Sequence, residues 1–416
     1  MPQSTPVTPE APPPALKVPL LDLTQQYAQI AAEVQSAITR VCQSQQFILG
    51  REVRELELRL ARYSGCGHGI GVSSGTDALL LALMAFGIGP GDEVITSPFT
   101  FFATAGTIAR LGARPLFCDI DPQTFNLSPQ RVEELIAREC DVRGASAGRQ
   151  LIHRRTGGRV KAIMPVHLYG QVCEMDPFMD MAARLGLHII EDAAQAIGAQ
   201  DRQGRMAGGI GHIGCFSFFP TKNLGAFGDA GLCTTSDPAL AERMRVLRVH
   251  GAEPKYHHSF IGGNFRLDEI QAAVLNVKLG FLDEWRQGRE AHARQYTTRL
   301  QAGAPAGTVV PPFATDGGRH VWNQYVIRAQ RRDELRQYLA AAGVGTEIYY
   351  PIPLHLQRCF AYLDYRTGQL PEAERAAQEV LALPVFPELT PAQIDHVAGT
   401  IQRFYTAAVA PSQQSA

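Results

Sequence analysis

The feature that most constrains the fold of this chain is the alternation of short apolar segments with helical segments between residues 69 and 234. The seven apolar segments are 69–72, 93–96, 114–118, 162–167, 188–191, 215–219 and 231–234. Helical segments fall between many of them, at 77–86, 104–111, 129–138 and 177–185. Strands that are apolar along their whole length are typical of a parallel sheet covered by helices. The alternation therefore predicts an α/β fold whose large domain holds a mostly parallel seven-stranded sheet flanked by helices.

The remaining segments predict a tail and a smaller C-terminal domain. Residues 1–16 are rich in Pro, Ser and Thr and are expected to be disordered, which leaves 17–270 for the large domain and its N-terminal helix. Residues 271–410 are expected to form a linking helix, broken near Gly280 or Gly288, and a small α+β domain. Its predicted strands are 321–328 and 345–350, and its predicted helices are 332–342, 371–380 and 391–405.

Composition narrows the classes of function. The 416 residues carry a formal net charge of −1 without long charged blocks, which argues against nucleic acid or an anionic membrane as the main partner. The longest apolar run, 78–88, is too short to cross a bilayer, and the first residues lack the pattern of a signal peptide. The eight cysteines form no CxxC pair and the twelve histidines show no metal-ligand spacing, so we expect a cytoplasmic protein without a metal site.

A turn that follows the first predicted strand has the composition of a phosphate site. Ser73-Ser74-Gly75-Thr76-Asp77 opens the apolar helix 77–86. Glycine permits close backbone approach, and the free N–H groups at a helix start bind phosphate. An ordinary capped turn between a strand and a helix would have the same composition, so this segment alone leaves both interpretations open.

The segment Phe216–Asn223 places a lone lysine, Lys222, after an apolar run. Burial disfavours the ammonium form and lowers the pKa of a lysine, which makes it a nucleophilic amine. Such an amine condenses with an aldehyde, and pyridoxal phosphate (PLP) is the aldehyde that lysines most often hold in proteins. A surface lysine just past a buried strand is the alternative that this segment alone leaves open.

Two further segments are suited to holding the PLP ring. Glu191 and Asp192 follow the strand 188–191, and carboxylates at the carboxyl end of a parallel strand face the ligand crevice. One of them is expected to pair with the protonated ring nitrogen of PLP, although an acid at a helix N-terminus is an equally ordinary interpretation. The loop Pro98–Thr104 supplies aromatic side chains, one of which is expected to stack on the ring.

Taken in order, these motifs identify a resemblance. From about Leu20 to Tyr405 the chain resembles the sugar aminotransferases of the DegT–StrS family, which are PLP enzymes of fold type I. The matching segments are Gly71–Leu79, Gly91–Ile95, Val166–Gln171, Glu191–Ala196, Ser217–Gly225 and Asn264–Ala273. Each is weak to moderate alone, but all six in this order are highly specific.

The resemblance implies a role for each matching residue. Lys222 would bind PLP covalently, Asp192 would bind the ring nitrogen, and Gln195 would lie near the ring hydroxyl. The residues implied to hold the phosphate are Ser217, Gly75 and Thr76, together with Asn264 from the partner subunit of a homodimer. Phe101 aligns with the stacking residue, while Phe99 and Phe102 remain possible.

The implied reaction is amino transfer from an amino acid, with L-glutamate expected, to a keto group of a nucleotide-linked sugar. The product would be an amino sugar for polysaccharide or secondary-metabolite biosynthesis. Ile348–His355 and His320–Tyr325 resemble the branch that aminates the C3 carbon. The residues expected to contact the sugar or diphosphate are Arg266, Tyr349, Tyr350 and His355, although both tyrosines are equally compatible with packing in the small domain.

Two alternatives and one departure accompany this resemblance. A sugar dehydratase of the same family would carry His at the lysine position, and a non-enzymatic regulator on this fold would be expected to lose Lys222 or Asp192. Asp141–Gly158 is longer than expected for the family, is rich in Gly, Arg and Ser, and is predicted to be an exposed insertion. Its arginines, Arg149, Arg154 and Arg155, are expected to be solvated rather than near a nucleotide.

Overall fold

The computed structural model of the protein describes residues 16–144 and 149–409, with side chains described to residue 406. The helices are α1 Thr24–Ser44, α2 Arg51–Tyr63, α3 Gly75–Ala85, α4 Ala103–Arg110, α5 Pro129–Glu139, α6 Met175–Leu185, α7 Pro238–Leu247, α8 Glu269–Lys278, α9 Leu282–Gly303, α10 Arg332–Ala341, α11 Pro371–Glu379 and α12 Pro391–Val409. The strands are β1 His68–Val72, β2 Asp92–Thr96, β3 Arg114–Phe117, β4 Cys140–Arg143, β5 Gln150–His153, β6 Arg159–Met164, β7 His188–Asp192, β8 Ile213–Ser217, β9 Gly231–Thr235, β10 Val309–Val310, β11 Tyr325–Ala329 and β12 Val380–Leu383. The tail predicted at 1–16 lies outside the described residues except for Leu16.

The large sheet confirms the predicted fold class. Its main path runs β1-β9-β8-β7-β6-β2-β3, and all seven predicted strands are in it. The five strands β8, β7, β6, β2 and β3 are parallel to one another, whereas β9 is antiparallel to both β8 and β1. Helices cover the sheet, and apolar side chains fill the space between the layers. The carboxyl ends of β7 and β8 therefore reach the same sheet edge, where ligands bind in open α/β folds.

The predicted exposed insertion at Asp141–Gly158 is confirmed for most of its described residues, but it is wrong for a short buried strand within it. Residues on either side of the undescribed 145–148 form the antiparallel hairpin β4–β5, and β5 pairs with β6 as an addition to the sheet. Leu151, Ile152 and His153 are buried. The sequence analysis treated these three residues together with the charged residues around them. It therefore missed this strand, which is too short to show a hydrophobic period.

The small domain is an antiparallel sheet of β10, β11 and β12, packed against helices. The linking helix breaks at 279–281, so the break lies at Gly280 rather than Gly288. Residues 345–350 are not the predicted strand, because Glu347 makes only an isolated bridge to Ala382. β12, which no prediction included, occupies that place in the sheet. Within the described ranges, no helix combines the length and apolar character needed to cross a membrane.

Candidate active site

A cavity of about 750 Å³ lies between the sheet edge and the small domain. The start of α3 and the carboxyl ends of β7 and β8 form its floor, and residues 347–352 of the small domain form its opposite wall. Most of the predicted cofactor residues line it, namely Gly75, Thr76, Phe101, Asp192, Gln195, Ser217 and Lys222. Strand ends and one helix start thus bring together residues that are far apart in sequence.

Lys222 lies in the loop between β8 and β9, with its side chain directed into the cavity. The loop is closed by backbone bonds from the N–H of Lys222 to the carbonyl of Phe219 (2.9 Å) and from the N–H of Ala226 to the carbonyl of Phe218 (2.8 Å). Burial lowers the pKa of Lys222 to about 8, and the negative charge of Asp192 opposes this shift. A substantial fraction of this amine is therefore neutral near physiological pH.

Asp192 ends β7 and is 4% exposed. Its Oδ2 accepts a hydrogen bond from the hydroxyl of Thr104 (2.7 Å), and its Oδ1 accepts one from the N–H of Ala194 (3.2 Å). Burial raises the pKa of Asp192 above its usual range, although these hydrogen bonds and the charge of Lys222 oppose the shift. A cationic group in the cavity would stabilise the ionised carboxylate.

The neighbouring acid, Glu191, points to the other face of β7 and does not line the cavity. It accepts hydrogen bonds from His167 Nε2 (2.8 Å) and from the N–H groups of Gly208 (2.8 Å), Ile210 (2.8 Å) and Gly211. Burial alone would raise its pKa, but these donors hold the pKa of Glu191 below its usual range. The sequence left both acids possible as the partner of the ring nitrogen. Because side chains alternate along β7, Asp192 faces the cavity and Glu191 does not.

Gly75 and Ser217 make a small cradle at the start of α3. The Ser74 hydroxyl caps the helix by accepting the N–H of Asp77 (3.0 Å). A Cβ placed on Gly75 would lie 2.5 Å from the Cβ of Ser217, so only glycine allows this approach. Helix-start N–H groups beside a serine hydroxyl fit a phosphate, and together with Lys222 and Asp192 they fit PLP.

The three aromatic candidates for ring stacking separate by exposure. Phe99 is 1% exposed and packs against Phe125 in the core, so it is excluded from the cavity. Phe101 is 58% exposed and lines the cavity. Phe102 also lines it but packs against Phe360. The exposed Phe101 ring is therefore the best placed to cover a flat ligand.

Gln195 and the two tyrosines connect the domains across the cavity. The Gln195 Nε2 donates to the Tyr350 hydroxyl (3.1 Å), and its Oε1 accepts the N–H of Tyr169 (2.7 Å). The Tyr169 hydroxyl donates to the carbonyl of Tyr349. Tyr349 and Tyr350 line the cavity and also pack against the core of the small domain, so their contact with substrate stays a prediction.

Two predicted substrate residues lie elsewhere. His355 is 2% exposed, its Nε2 is 3.1 Å from Oε1 of Glu374 and it does not line the cavity, so its contact with substrate stays a prediction. Arg266 pairs with Val72 at the edge of β1 and does not line the cavity. Both were predicted from their residue types next to matching motifs, which carry no information on side-chain direction.

Asn264 is exposed and also lies outside this cavity. The resemblance assigned it to the site of a partner subunit, so its position here does not contradict that assignment.

Sequence reasoning gave no role to several polar residues that the structure brings to the site. Thr104 supports Asp192, and the carboxylates of Asp229 and Glu347 and the amide of Gln324 line the cavity. Thr104 appeared only as the end of the aromatic loop. No spacing signal pairs it with a residue 88 positions away.

Comparison with protein families and curated proteins gives matches along nearly the whole chain. Residues 28–402 match the DegT/DnrJ/EryC1/StrS aminotransferase family. A pleiotropic regulatory protein of Geobacillus stearothermophilus is 50% identical over 94% of this chain and 99% of its own length. A UDP-N-acetyl-3-dehydro-alpha-D-glucosamine 3-aminotransferase of Acidithiobacillus ferrooxidans is 42% identical over 93% of this chain and 97% of its own.

Solved structures with the same fold include PLP-dependent aminotransferases. DesV of S. venezuelae superposes with a TM-score of 0.85 at 41% identity, covering 94% of this chain and 98% of its own. NtdA of Bacillus subtilis, with bound cofactor PMP, superposes with a TM-score of 0.82 at 30% identity, covering 94% of this chain and 85% of its own. The cavity therefore lies in an aminotransferase scaffold.

Proposed function

The chain belongs to the DegT/DnrJ/EryC1/StrS aminotransferase family, and we propose on this premise that it moves an amino group from L-glutamate to the C3 keto group of a nucleotide-linked sugar. PLP is the cofactor. The observation that carries the proposal is a lysine with a pKa of about 8 that shares a cavity with a strand-end carboxylate. The relative from Acidithiobacillus supports C3 as the position, since its name specifies a 3-aminotransferase of a UDP-sugar.

The chain's own residues hold PLP at three places in this proposal. The N–H groups at Gly75 and Thr76 and the Ser217 hydroxyl bind its phosphate. Phe101 covers one face of the ring. Asp192 binds the ring nitrogen and keeps it protonated. When bound, PLP withdraws electrons from the substrate carbon that carries the amino group.

Lys222 acts as the acid and base of the reaction. With the cofactor bound, its Nζ would remove the proton from the α-carbon of the amino acid and would return a proton to the carbon that accepts the amino group. A pKa of about 8 lies close to the working pH, which favours transfer in both directions. Asp192 stabilises the positive charge of the ring nitrogen throughout, because its carboxylate is held in place by Thr104 and the N–H of Ala194.

The acceptor sugar lies against the small-domain wall. Tyr349 and Tyr350 supply hydroxyl groups on the side of the cavity opposite Gly75. The bond from Gln195 to Tyr350 couples the position of this wall to the loop that follows Asp192. A substrate that contacts this wall would fill the space beside Lys222 and exclude water from it.

A homodimer with shared sites is part of the proposal. Its support is the family resemblance and the position of Asn264, which is exposed and outside the cavity of its own protomer. Mixed dimers of Lys222→Ala and Asn264→Ala chains test it. If Asn264 acts across the interface, each mixed dimer holds one intact site, and a random mixture regains about a quarter of wild-type activity. If Asn264 acts within its own protomer, or if the chain is a monomer, mixing restores nothing.

A regulatory role is the second candidate, and the name of the Geobacillus relative favours it. A regulator that uses the fold only to bind a ligand has no need for a lysine of lowered pKa beside Asp192. Both residues are present and face the same cavity. The dehydratase alternative would need His in place of Lys222.

A cytoplasmic location also remains a proposal. All eight cysteines lie in the described ranges and none is in a disulfide; five of them are buried. This usage suits a reducing compartment. Cell fractionation tests it, and recovery of the protein outside the cytoplasmic fraction would contradict it.

Transfer of a labelled amino group tests the proposed reaction. The purified protein is incubated with L-[15N]glutamate and a panel of UDP- and dTDP-linked 3-keto and 4-keto sugars. The proposal predicts 15N in the product from a 3-keto sugar and none with Lys222→Ala protein. Labelling of a 4-keto sugar alone would overturn the C3 assignment, and labelling of none would favour the regulatory role.

A further inference from the structure

A second buried lysine, Lys278, lies on the opposite side of the loop that carries Lys222. It is the last residue of α8, and it is 3% exposed. Its Nζ donates a hydrogen bond to the carbonyl of Gly225 at 2.7 Å. Among the described residues, no carboxylate lies within ion-pair distance of it. Lys278 is therefore a buried cation whose one strong contact is the backbone three residues after Lys222.

The same face of α8 holds the loop at a second point. Gln271 precedes Lys278 by seven residues, which is two helical turns. Its Oε1 accepts the N–H of Phe227 (2.8 Å), and its Nε2 donates to the carbonyl of Phe227 (3.3 Å). The helix thus contacts the loop at both Gly225 and Phe227 with side chains that reach its backbone.

The loop has little room to move between these contacts. A Cβ on Gly225 would collide with the carbonyl of Pro220, so the two ends of the loop touch. At a separate point, Asn223 Nδ2 donates to the carbonyl of Val321 at 2.8 Å. The backbone on either side of Lys222 is therefore held from the small-domain side by Asn223 and from the rear by α8.

We propose that Lys278 is a positioning residue for amino transfer: its hydrogen bond to Gly225 fixes the loop so that the Lys222 side chain keeps its place in the cavity beside Asp192. The inference rests on the proposed role of Lys222. Lys278 does not touch the cavity, so it acts only through the loop.

The surroundings of Lys278 indicate what a lysine contributes at this buried position. A methionine would fill a similar volume without the cost of burying a polar group, so what the lysine adds is its donor. Burial lowers the pKa of Lys278 to about 8. The rings of Phe227 and Trp285, 5.4 and 6.0 Å from its Nζ, favour the remaining positive charge. Both protonation states can donate to the carbonyl of Gly225.

Lys278→Met tests the proposal, with Lys161→Met as the matched control. Lys161 on β6 also donates from its Nζ to a backbone carbonyl, that of Gly87, at 2.9 Å. It pairs with Asp92, and both contacts lie far from the Lys222 loop in sequence. The first measurement is hydrogen–deuterium exchange of cofactor-free protein, followed in the peptide that spans 218–228. We expect exchange there to rise at least fivefold in Lys278→Met and to stay unchanged in Lys161→Met.

The second measurement is the kinetics of the PLP-loaded protein. We expect kcat for the reaction with L-glutamate to fall about tenfold in Lys278→Met, with a smaller change in KM, because a shifted base loses alignment. The apparent pKa of the visible absorbance band should also shift, since it reports the surroundings of Lys222. Lys278→Arg, which keeps a buried cationic donor, should recover part of both changes.

The outcomes separate this inference from the proposed function. Unchanged exchange at 218–228 in folded Lys278→Met protein would overturn the positioning role, whatever the chain catalyses. Increased exchange in a chain that never reacts with L-glutamate would keep the loop contact but overturn the role of Lys222 on which the inference rests. If Lys278→Met does not fold, Lys278→Gln, whose donor lies one bond closer to the backbone, takes its place and should give an intermediate increase in exchange.

Discussion

Lys222 and Lys278 differ in what their side chains face, and the difference shows what turns such a lysine into a catalyst. Burial lowers the pKa of Lys222 and of Lys278 to about 8. Lys222 faces a cavity and a carboxylate, whereas Lys278 faces apolar rings and a backbone carbonyl. A lowered pKa therefore does not identify the reactive amine. The reactive amine is identified by its access to a ligand and by a nearby charge that interacts with that ligand.

Removing the two amines in turn makes the sharpest contrast. We expect Lys222→Ala to lower the turnover of L-glutamate by about 10³-fold, because the protein loses its acid and base. Borohydride should no longer link PLP to the chain. Lys278→Met should keep the borohydride-reducible link, as shown by the mass of the intact protein. A PLP link that survives in Lys222→Ala would move the reactive role to another lysine.

The negative charge of Asp192, which lies near Lys222, is the next difference between the two lysines that can be removed. Asp192→Asn keeps the shape of the side chain but loses the charge that holds the ring nitrogen protonated, so we expect kcat to fall about 10²-fold. Steady-state kinetics with L-glutamate measure this. An unchanged kcat would mean that the carboxylate is only structural, as Glu191 is.

Removing the hydrogen bond that Thr104 donates to Asp192 should have a smaller effect. Thr104→Val removes the hydroxyl that donates to Asp192 at 2.7 Å while keeping the volume. The pKa of Asp192 should rise, because this bond opposes the effect of burial. We expect kcat to fall about tenfold and the acidic limb of its pH profile to move to higher pH. A Thr104→Ser variant, which keeps the hydroxyl, is the control and should behave like the wild type.

The smallest expected effect is a change in the pKa of Lys222. Measuring it compares Lys222 with Lys278 directly. In cofactor-free protein labelled with 13C at the lysine side chains, both Lys222 and Lys278 should titrate near pH 8. Asp192 raises the pKa of Lys222 only, so Asp192→Asn should lower the Lys222 midpoint and leave that of Lys278 in place. Equal shifts at both lysines would show that they share one electrostatic environment.

The sign of the stability effect follows from the same values. Because folding lowers both pKa values from about 10.4, the folded chain binds fewer protons than the unfolded chain between pH 8 and 10. Each lysine therefore makes the free energy of unfolding rise with pH in that window. Urea denaturation should show a shallower rise for Lys278→Met than for the wild type.

The parts of this site that follow strand ends were predictable from sequence. Asp192 ends an apolar strand, and the carboxyl ends of parallel strands face the ligand crevice, so the pattern alone predicted an acid of this segment at the site. The resemblance added Ser217, Gln195 and Phe101, all of which line the cavity. These residues are tied to backbone elements whose direction the sequence pattern reveals.

The residues that sequence did not predict depend on packing between distant segments. Thr104 meets Asp192 only because α4 crosses the end of β7, and Lys278 meets Gly225 only because α8 packs behind the loop. His355 carried the chemistry of a ligand residue, but its segment turns it toward Glu374. β12 escaped prediction since a four-residue apolar run beside a helix shows no period.

The reaction of the purified protein with L-glutamate alone tests the central claim most directly. The account predicts that the visible absorbance of the PLP-loaded protein disappears on mixing and that one 2-oxoglutarate is released for each Lys222. An absorbance that stays unchanged with L-glutamate and other amino acids, in protein that demonstrably holds PLP on Lys222, would contradict the assignment of this chain as an amino-transferring enzyme.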